Sequence, residues 1–266
     1  MDVVILENSE QVSLEAARLI SELLRSNPSA VLGLASGETP RATYRELVRA
    51  HREDGLSFRE ASTFNLDEYV GLEPGSPQSY RAYMRRELFD HVDIDPANTF
   101  LPECPPGTDP RTVGSSYEAR IARRGGIDLQ LLGVGVNGHI GFNEPASSLA
   151  SRTRIKTLTR ETIEANRQYF DDQSEQPQLA VTMGIGTIMD ARHALLLATG
   201  GRKSDAVRRL VEGPVTASCP ASMLQMHERV TVLLDEAAAA QLELRDYYDW
   251  VSAQKRALQH KFGASS

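Results

Sequence analysis

Cysteine is nearly absent: Cys104 and Cys219 are the only two in 266 residues. Two thiols so far apart form neither a disulfide framework nor a zinc pattern, and they read as reduced thiols of an intracellular protein. No stretch approaches the roughly 20 consecutive apolar residues that span a bilayer. The opening MDVVILENSE is too short and too acidic for a signal peptide, so the expected location is cytoplasmic, with no membrane contact. Basic residues are not in excess. The 29 Lys and Arg stand against 36 Asp and Glu, a net charge of −7, which argues against nucleic acid as a partner. A small anionic ligand stays open, because one pocket can be positive on an acidic protein. Internal repeats and low-complexity tracts are missing too. What remains is a chain with 41% hydrophobic and 24% charged residues, enough for one large core.

Short apolar runs alternate with stretches of helical period. The runs Val3–Leu6, Ala30–Ala35, Ser62–Asn65, Ile127–Val134, Leu179–Thr182, Ala194–Ala198 and Arg229–Leu234 predict strands. Helices are predicted at Ser9–Arg25, Pro40–His51, Ser79–His91, Arg111–Arg124, Arg160–Tyr169, Arg202–Val211 and Ala237–His260. Wholly apolar runs such as Ala30–Ala35 suit strands covered on both faces. The expected fold is therefore α/β: one doubly wound, Rossmann-like domain over residues 1–262, mostly parallel, with helices on both faces. Residues 263–266 are expected to form a flexible tail.

Five stretches carry candidate chemistry. In Ser36-Gly37-Glu38-Thr39-Pro40 a buried strand turns into a helix, whose N-terminal N–H groups suit phosphate. The same residues also fit a plain turn with a capped helix. Asp67 and Glu68 follow a strand end, where burial would convert a carboxylate into a general base. A solvated pair capping a helix is the competing reading. The stretch Gly133–Pro145 has glycines at 133, 135, 138 and 141 around Asn137, His139 and Glu144. It brings an imidazole, suited to proton transfer near neutral pH, together with a carboxylate able to fix its tautomer. In the fourth stretch Arg152, Arg154 and Lys156 alternate as on one face of a strand, forming an anion site or a solvated edge. In the fifth, Lys203 follows Gly200-Gly201, within reach of a strand-end ligand or in water at a helix start.

These stretches together resemble the glucosamine-6-phosphate deaminase family, from about Ile5 to Leu242. The specific motifs are Phe64-Asn65-Leu66-Asp67-Glu68-Tyr69-Val70-Gly71, Asn137-Gly138-His139-Ile140-Gly141-Phe142-Asn143-Glu144-Pro145, and Ser148 to Leu158. The related 6-phosphogluconolactonases share the fold but not the last two motifs. The resemblance implies conversion of glucosamine 6-phosphate and water to fructose 6-phosphate and ammonia, with no metal or organic cofactor. Galactosamine 6-phosphate is an alternative substrate, and a non-catalytic sugar-phosphate-binding module is an alternative use of the fold. The resemblance implies that Asp67 moves a proton between C2 and C1, and that His139 opens the pyranose ring with Asn137 and Glu144. It assigns the phosphate to Ser36, Gly37, Glu38, Thr39 and Lys203. Many members carry aspartate at the position of Asn137. An arginine is expected after Lys156, where the alignment places Gln168 with Arg167 beside it. Ser147, Arg154 and Lys156 match an effector site of hexameric members activated by N-acetylglucosamine 6-phosphate. A homo-oligomer is one expectation; the short C-terminal tail favours the unregulated type.

Overall fold

The computed structural model describes residues 1–167, 170 and 176–262. The expected tail 263–266 and Gln168 lie outside the described residues. Seven parallel strands form the central sheet in the order β1-β10-β9-β6-β2-β3-β5. They are β1 (Asp2–Leu6), β2 (Val31–Leu34), β3 (Ser62–Asn65), β5 (Thr99–Phe100), β6 (Leu129–Gly133), β9 (Ala194–Ala198) and β10 (Val230–Asp235). A second, antiparallel sheet contains β4 (Asp67–Tyr69), β8 (Leu179–Thr182) and β7 (Arg154–Thr157), in that order.

The central strands bury both faces. On β9, Leu195 and Leu197 enter one apolar cluster, while Ala194, Leu196 and Ala198 enter the other. The first cluster is closed by α1 (Ser9–Ser26), α2 (Glu38–Asp54) and α3 (Tyr80–Glu87), through residues such as Ile20, Leu47 and Met84. The opposite cluster takes Tyr117 and Ile121 of α4 (Pro110–Arg123), Ile188 of α6 (Ile185–Met189) and Leu210 of α7 (Ser204–Val211). Among the described residues the other α-helices are α5 (Arg160–Asn166) and α8 (Arg245–Phe262). This is the doubly wound sheet expected from the apolar runs.

Two expectations change. The alanine-rich stretch from Ala237 was predicted to start the last helix, but α8 begins only at Arg245. Carboxylates intercept the backbone first. Asp235 accepts from Ala238 N at 2.7 Å, and Glu212 accepts from Glu243 N and Leu244 N at 2.9 Å each. Helix propensity is a weak prior against such tertiary bonds. The small antiparallel sheet was not expected as such: β4 has three polar or aromatic residues, too few to display a period.

β2 runs on to β3 and β5 at one side, and the chain then returns to place β6, β9 and β10 at the other. The order reverses between β2 and β6, and a doubly wound sheet offers its ligand crevice beyond the carboxyl ends of strands at that point.

Candidate active site

Beyond the ends of β2, β3, β6 and β9 lies a cleft of about 1040 Å³. The β2 loop contributes Gly37 and Thr39, the β6 loop His139, and the β9 loop Thr199, Arg202 and Lys203. Tyr69, Tyr80 and Tyr83 add an aromatic wall from β4 and α3. Five cationic side chains (Arg41, Arg45, Arg86, Arg202 and Lys203) face three carboxylates, so the cleft is locally positive on an acidic protein.

Asp67 and Glu68 are both buried, 6% and 3% exposed, not solvated. Glu68 does cap a helix: its carboxylate accepts from Tyr80 N and Arg81 N at 2.9 Å each, fixing the start of α3, and from its neighbour Tyr69 N. Burial pushes Glu68 up to about 7 against the lowering effect of those bonds. Asp67 is different. Among the described residues nothing hydrogen-bonds its carboxylate, and burial, with the Glu68 charge beside it, pushes its pKa up to about 8. Asp67 sits opposite Thr182 on β8 and under the β6 loop. A methyl group on Gly141 would lie 3.0 Å from Thr182 Oγ1 and 3.4 Å from Asp67 Oδ2, and Gly141 has φ +54°. Glycine here lets the loop settle directly on the carboxylate.

The β6 loop folds on itself through Asn137. Its Oδ1 accepts from His139 N at 3.1 Å and lies 2.8 Å from His139 Nδ1. Its Nδ2 donates to Glu144 Oε2 at 2.8 Å. Glu144 Oε2 also lies 3.2 Å from His139 Nδ1, and Thr162 Oγ1 donates to Glu144 Oε1 at 2.7 Å. Burial opposes the Glu144 charge, but the His139, Thr162 and Asn137 bonds outweigh it and hold the carboxyl down at about 2. Glu144 is thus a fixed anion behind the imidazole. Asn137 need not carry charge here: it bridges the two partners and presents the His139 ring to the cleft. Beneath the loop, Cys219 Sγ would lie 2.5 Å from a methyl group on Gly138, where φ is +88°.

Gly135 gives a direct test of this packing. A methyl group there would lie 2.2 Å from the His139 ring. Gly135→Ala is expected to displace the imidazole and to cut turnover at least ~10-fold, with the ~1–3 kcal/mol stability loss of an overpacked site. Unchanged kcat in the alanine variant would contradict the placement.

The cationic stretches divide. Lys203 lines the cleft, and burial followed by the Arg202 charge lowers its pKa. Among the described residues it has no ion-pair partner. Asp235 holds its loop by accepting from Gly200 N. Of the expected phosphate residues, Gly37, Glu38 and Thr39 line the cleft, whereas Ser36 lies behind it with its Oγ buried and without a hydrogen-bond partner among the described residues. Arg167 is not brought to the cleft: it is exposed and pairs with Glu164 at 3.1 Å, because α5 turns that side chain outward. Arg152 does not share the β7 face with Arg154 and Lys156, since it precedes the strand and pairs with Glu118 and Asp190. Arg154 donates to Asn143 Oδ1 at 2.9 Å, Ser147 is buried, and Lys156 is half-buried; none lines the cleft.

The three tyrosines, Thr162, Asn143 and Arg41 were not singled out from the sequence. Thr162 carried a signal, standing three residues after Thr159, whose hydroxyl caps α5. Asn143, which donates to Ile140 O and Met183 O, lay within a recognised motif. Among the described residues no group of three His, Cys, Asp or Glu is placed to hold a metal, and no helix is long and apolar enough to cross a membrane.

Residues 7–233 match the family model described as glucosamine-6-phosphate isomerases/6-phosphogluconolactonase. A glucosamine-6-phosphate deaminase of Colwellia psychrerythraea is 52% identical over 263 residues, 99% of this chain and 98% of the relative. One from an Arthrobacter species is 55% identical over 248 residues, 93% of this chain and 95% of the relative. Among solved structures, a monomeric glucosamine-6-phosphate deaminase superposes with TM-score 0.87 at 44% identity, covering 90% of this chain and 99% of its own. A 6-phosphogluconolactonase from Trypanosoma cruzi, at 21% identity and TM-score 0.72 over 91% and 97% of the two chains, shares the fold. With the family model covering most of its length, the chain belongs to the glucosamine-6-phosphate isomerase/6-phosphogluconolactonase family.

Proposed function

We propose that the chain is a glucosamine-6-phosphate deaminase, turning glucosamine 6-phosphate and water into fructose 6-phosphate and ammonia. The observation that carries this is a buried Asp67, with no hydrogen-bond partner among the described residues, under the loop that holds the His139–Glu144 pair, with His139 lining a positive cleft. The phosphate sits at the start of α2, on the backbone of Gly37–Thr39, with Lys203 opposite. His139 transfers a proton between the ring oxygen and the anomeric hydroxyl, opening the pyranose, while Glu144 stabilises the imidazolium and Asn137 holds its orientation. Asp67 then removes the proton from C2, leaving an enolamine, and returns it to C1. The resulting C2 imine takes up water and expels ammonia, leaving the ketose. A carboxylate stripped of hydrogen bonds is a stronger base than an ordinary aspartate, as this transfer from carbon requires.

Ammonia release and fructose 6-phosphate formation are measured together on purified protein, with glucosamine 6-phosphate and galactosamine 6-phosphate in parallel. Turnover of the gluco substrate is the expected result. Faster turnover of the galacto epimer reassigns the substrate. Ligand-induced thermal stabilisation with no ammonia from either sugar replaces the enzyme with a binding module. A parallel arm with N-acetylglucosamine 6-phosphate reads whether Ser147, Arg154 and Lys156 bind an activator.

A further inference from the structure

We infer that Arg41 is a further substrate-binding residue, whose guanidinium grips the sugar's phosphate together with Lys203 and the Gly37–Thr39 backbone; this rests on the hexosamine-phosphate reading above. Arg41 is the fourth residue of α2, and side chains in a helix tilt toward its N-terminus, here toward the cleft. Three contacts locate its head group. Nη2 lies 3.0 Å from Glu38 Oε1, Nε lies 3.5 Å from Glu87 Oε1, and Cζ is 6.0 Å from the centre of the Tyr83 ring. The Tyr83 hydroxyl in turn donates to Gly37 O. The guanidinium is therefore held over the first turn of α2, the turn whose Gly37, Glu38 and Thr39 line the cleft.

The hydrogen-bonding state of this junction points the same way. Arg41 Nε is buried with no hydrogen-bond acceptor among the described residues, and so is the Ser36 hydroxyl at the other side of Gly37. A buried donor left without an acceptor costs roughly 1–3 kcal/mol. Of the two, the Arg41 donor belongs to a residue that lines the cleft, and its guanidinium marks the place for a ligand rich in acceptor oxygens. A phosphomonoester supplies them, and a guanidinium binds it through two parallel N–H bonds. Glu38 is no obstacle: its side chain is 64% exposed, so water and salt screen its repulsion of the phosphate. Glu87, which does not line the cleft, holds the Nε side of the guanidinium at 3.5 Å. Arg167, the arginine expected from the sequence to bind phosphate, pairs with Glu164 away from the cleft. The structure thus moves the guanidinium contribution from α5 to α2.

The test compares Arg41→Gln and Arg41→Lys with the parent. Arg41→Gln is expected to raise KM for the hexosamine phosphate about 10- to 100-fold, the loss of charge-assisted bonds, with kcat within about threefold. Arg41→Lys keeps the charge without the fork and recovers part of the loss. Inorganic phosphate is expected to stabilise the parent thermally through the same contacts, and Arg41→Gln far less. An unchanged KM together with unchanged stabilisation by phosphate overturns the proposal. If the parent itself releases no ammonia, the deaminase reading fails separately, and the phosphate arm still decides whether Arg41 binds the anion. A drop in ligand-free melting temperature with KM and phosphate response intact assigns Arg41 a structural role only, and equally overturns it.

Discussion

Asp67→Asn is expected to lower ammonia release by about 10³-fold while making the protein more heat-stable. The two side chains are nearly the same size, so packing under Gly141 survives. The amide cannot accept the C2 proton, and no described neighbour can replace it, because Glu68 is committed to the start of α3. Whatever product the variant still forms in heavy water should carry solvent deuterium at C1, since the shuttle that returns the C2 proton is gone. The stability gain has its own cause. Aspartate in the unfolded chain ionises near 3.8, but the folded chain holds this proton to about 8. Between those values the folded state binds the extra proton. Its stability therefore falls as pH rises, and the full penalty is present above about pH 8. Asparagine carries no such penalty, so the variant's stability advantage should grow from about pH 4 to pH 8 and show as a widening difference in melting temperature. A variant less stable than the parent at pH 8 would falsify the account of Asp67 as a destabilised buried base. The role proposed for Asp67 thus exchanges stability for activity. In the parent, kcat should climb as pH approaches 8 and the base form accumulates.

His139→Gln is expected to be next in size, lowering kcat about 10²-fold to 10³-fold on the cyclic substrate. Its loss is bounded, because sugar rings also open in water without help, so the variant should retain slow turnover that Asp67→Asn lacks. Because His139 is a partner of Asn137 and Glu144, a fall in melting temperature is expected to accompany the loss. Glu144 must not be responsible for any acid limb of the rate profile, since it stays ionised down to about 2. Its folded pKa lies below the unfolded value of 4.5, so its contribution to stability is complete above about pH 4.5 and is lost as pH falls toward 2. If His139→Gln abolished turnover as fully as Asp67→Asn does, ring opening would not be its step.

Legibility followed burial and length. Strands β3, β8 and β9 run between the residues read from their sequences, because runs covered on both faces are continuous and bounded by turns. The β6 loop was legible because its glycines, histidine and carboxylate stand within a dozen residues. Lys203 was legible only as an alternative, and the tertiary fold puts it on the cleft. Arg167 was expected at the phosphate and Arg41 was not singled out, yet Arg41 lines the cleft and Arg167 does not, since neighbours in sequence do not show which way a helix presents a side chain.

By itself the sequence determined a doubly wound α/β chain, the order of its main strands and helices, and three motifs with their family chemistry. Those properties are local: periodicity, turn residues and spacing act over a few positions. Only the tertiary structure decided that Asp67 is buried without a hydrogen bond from any described residue, that Glu68 instead caps α3, and that Asn137 bridges His139 to Glu144. It alone placed an α2 arginine, rather than Arg167, on the cleft. A carboxylate's pKa depends on the water and partners removed from it, and a guanidinium's role depends on where its helix points. Both are set by segments far apart in the chain, brought together where the strand order reverses between β2 and β6.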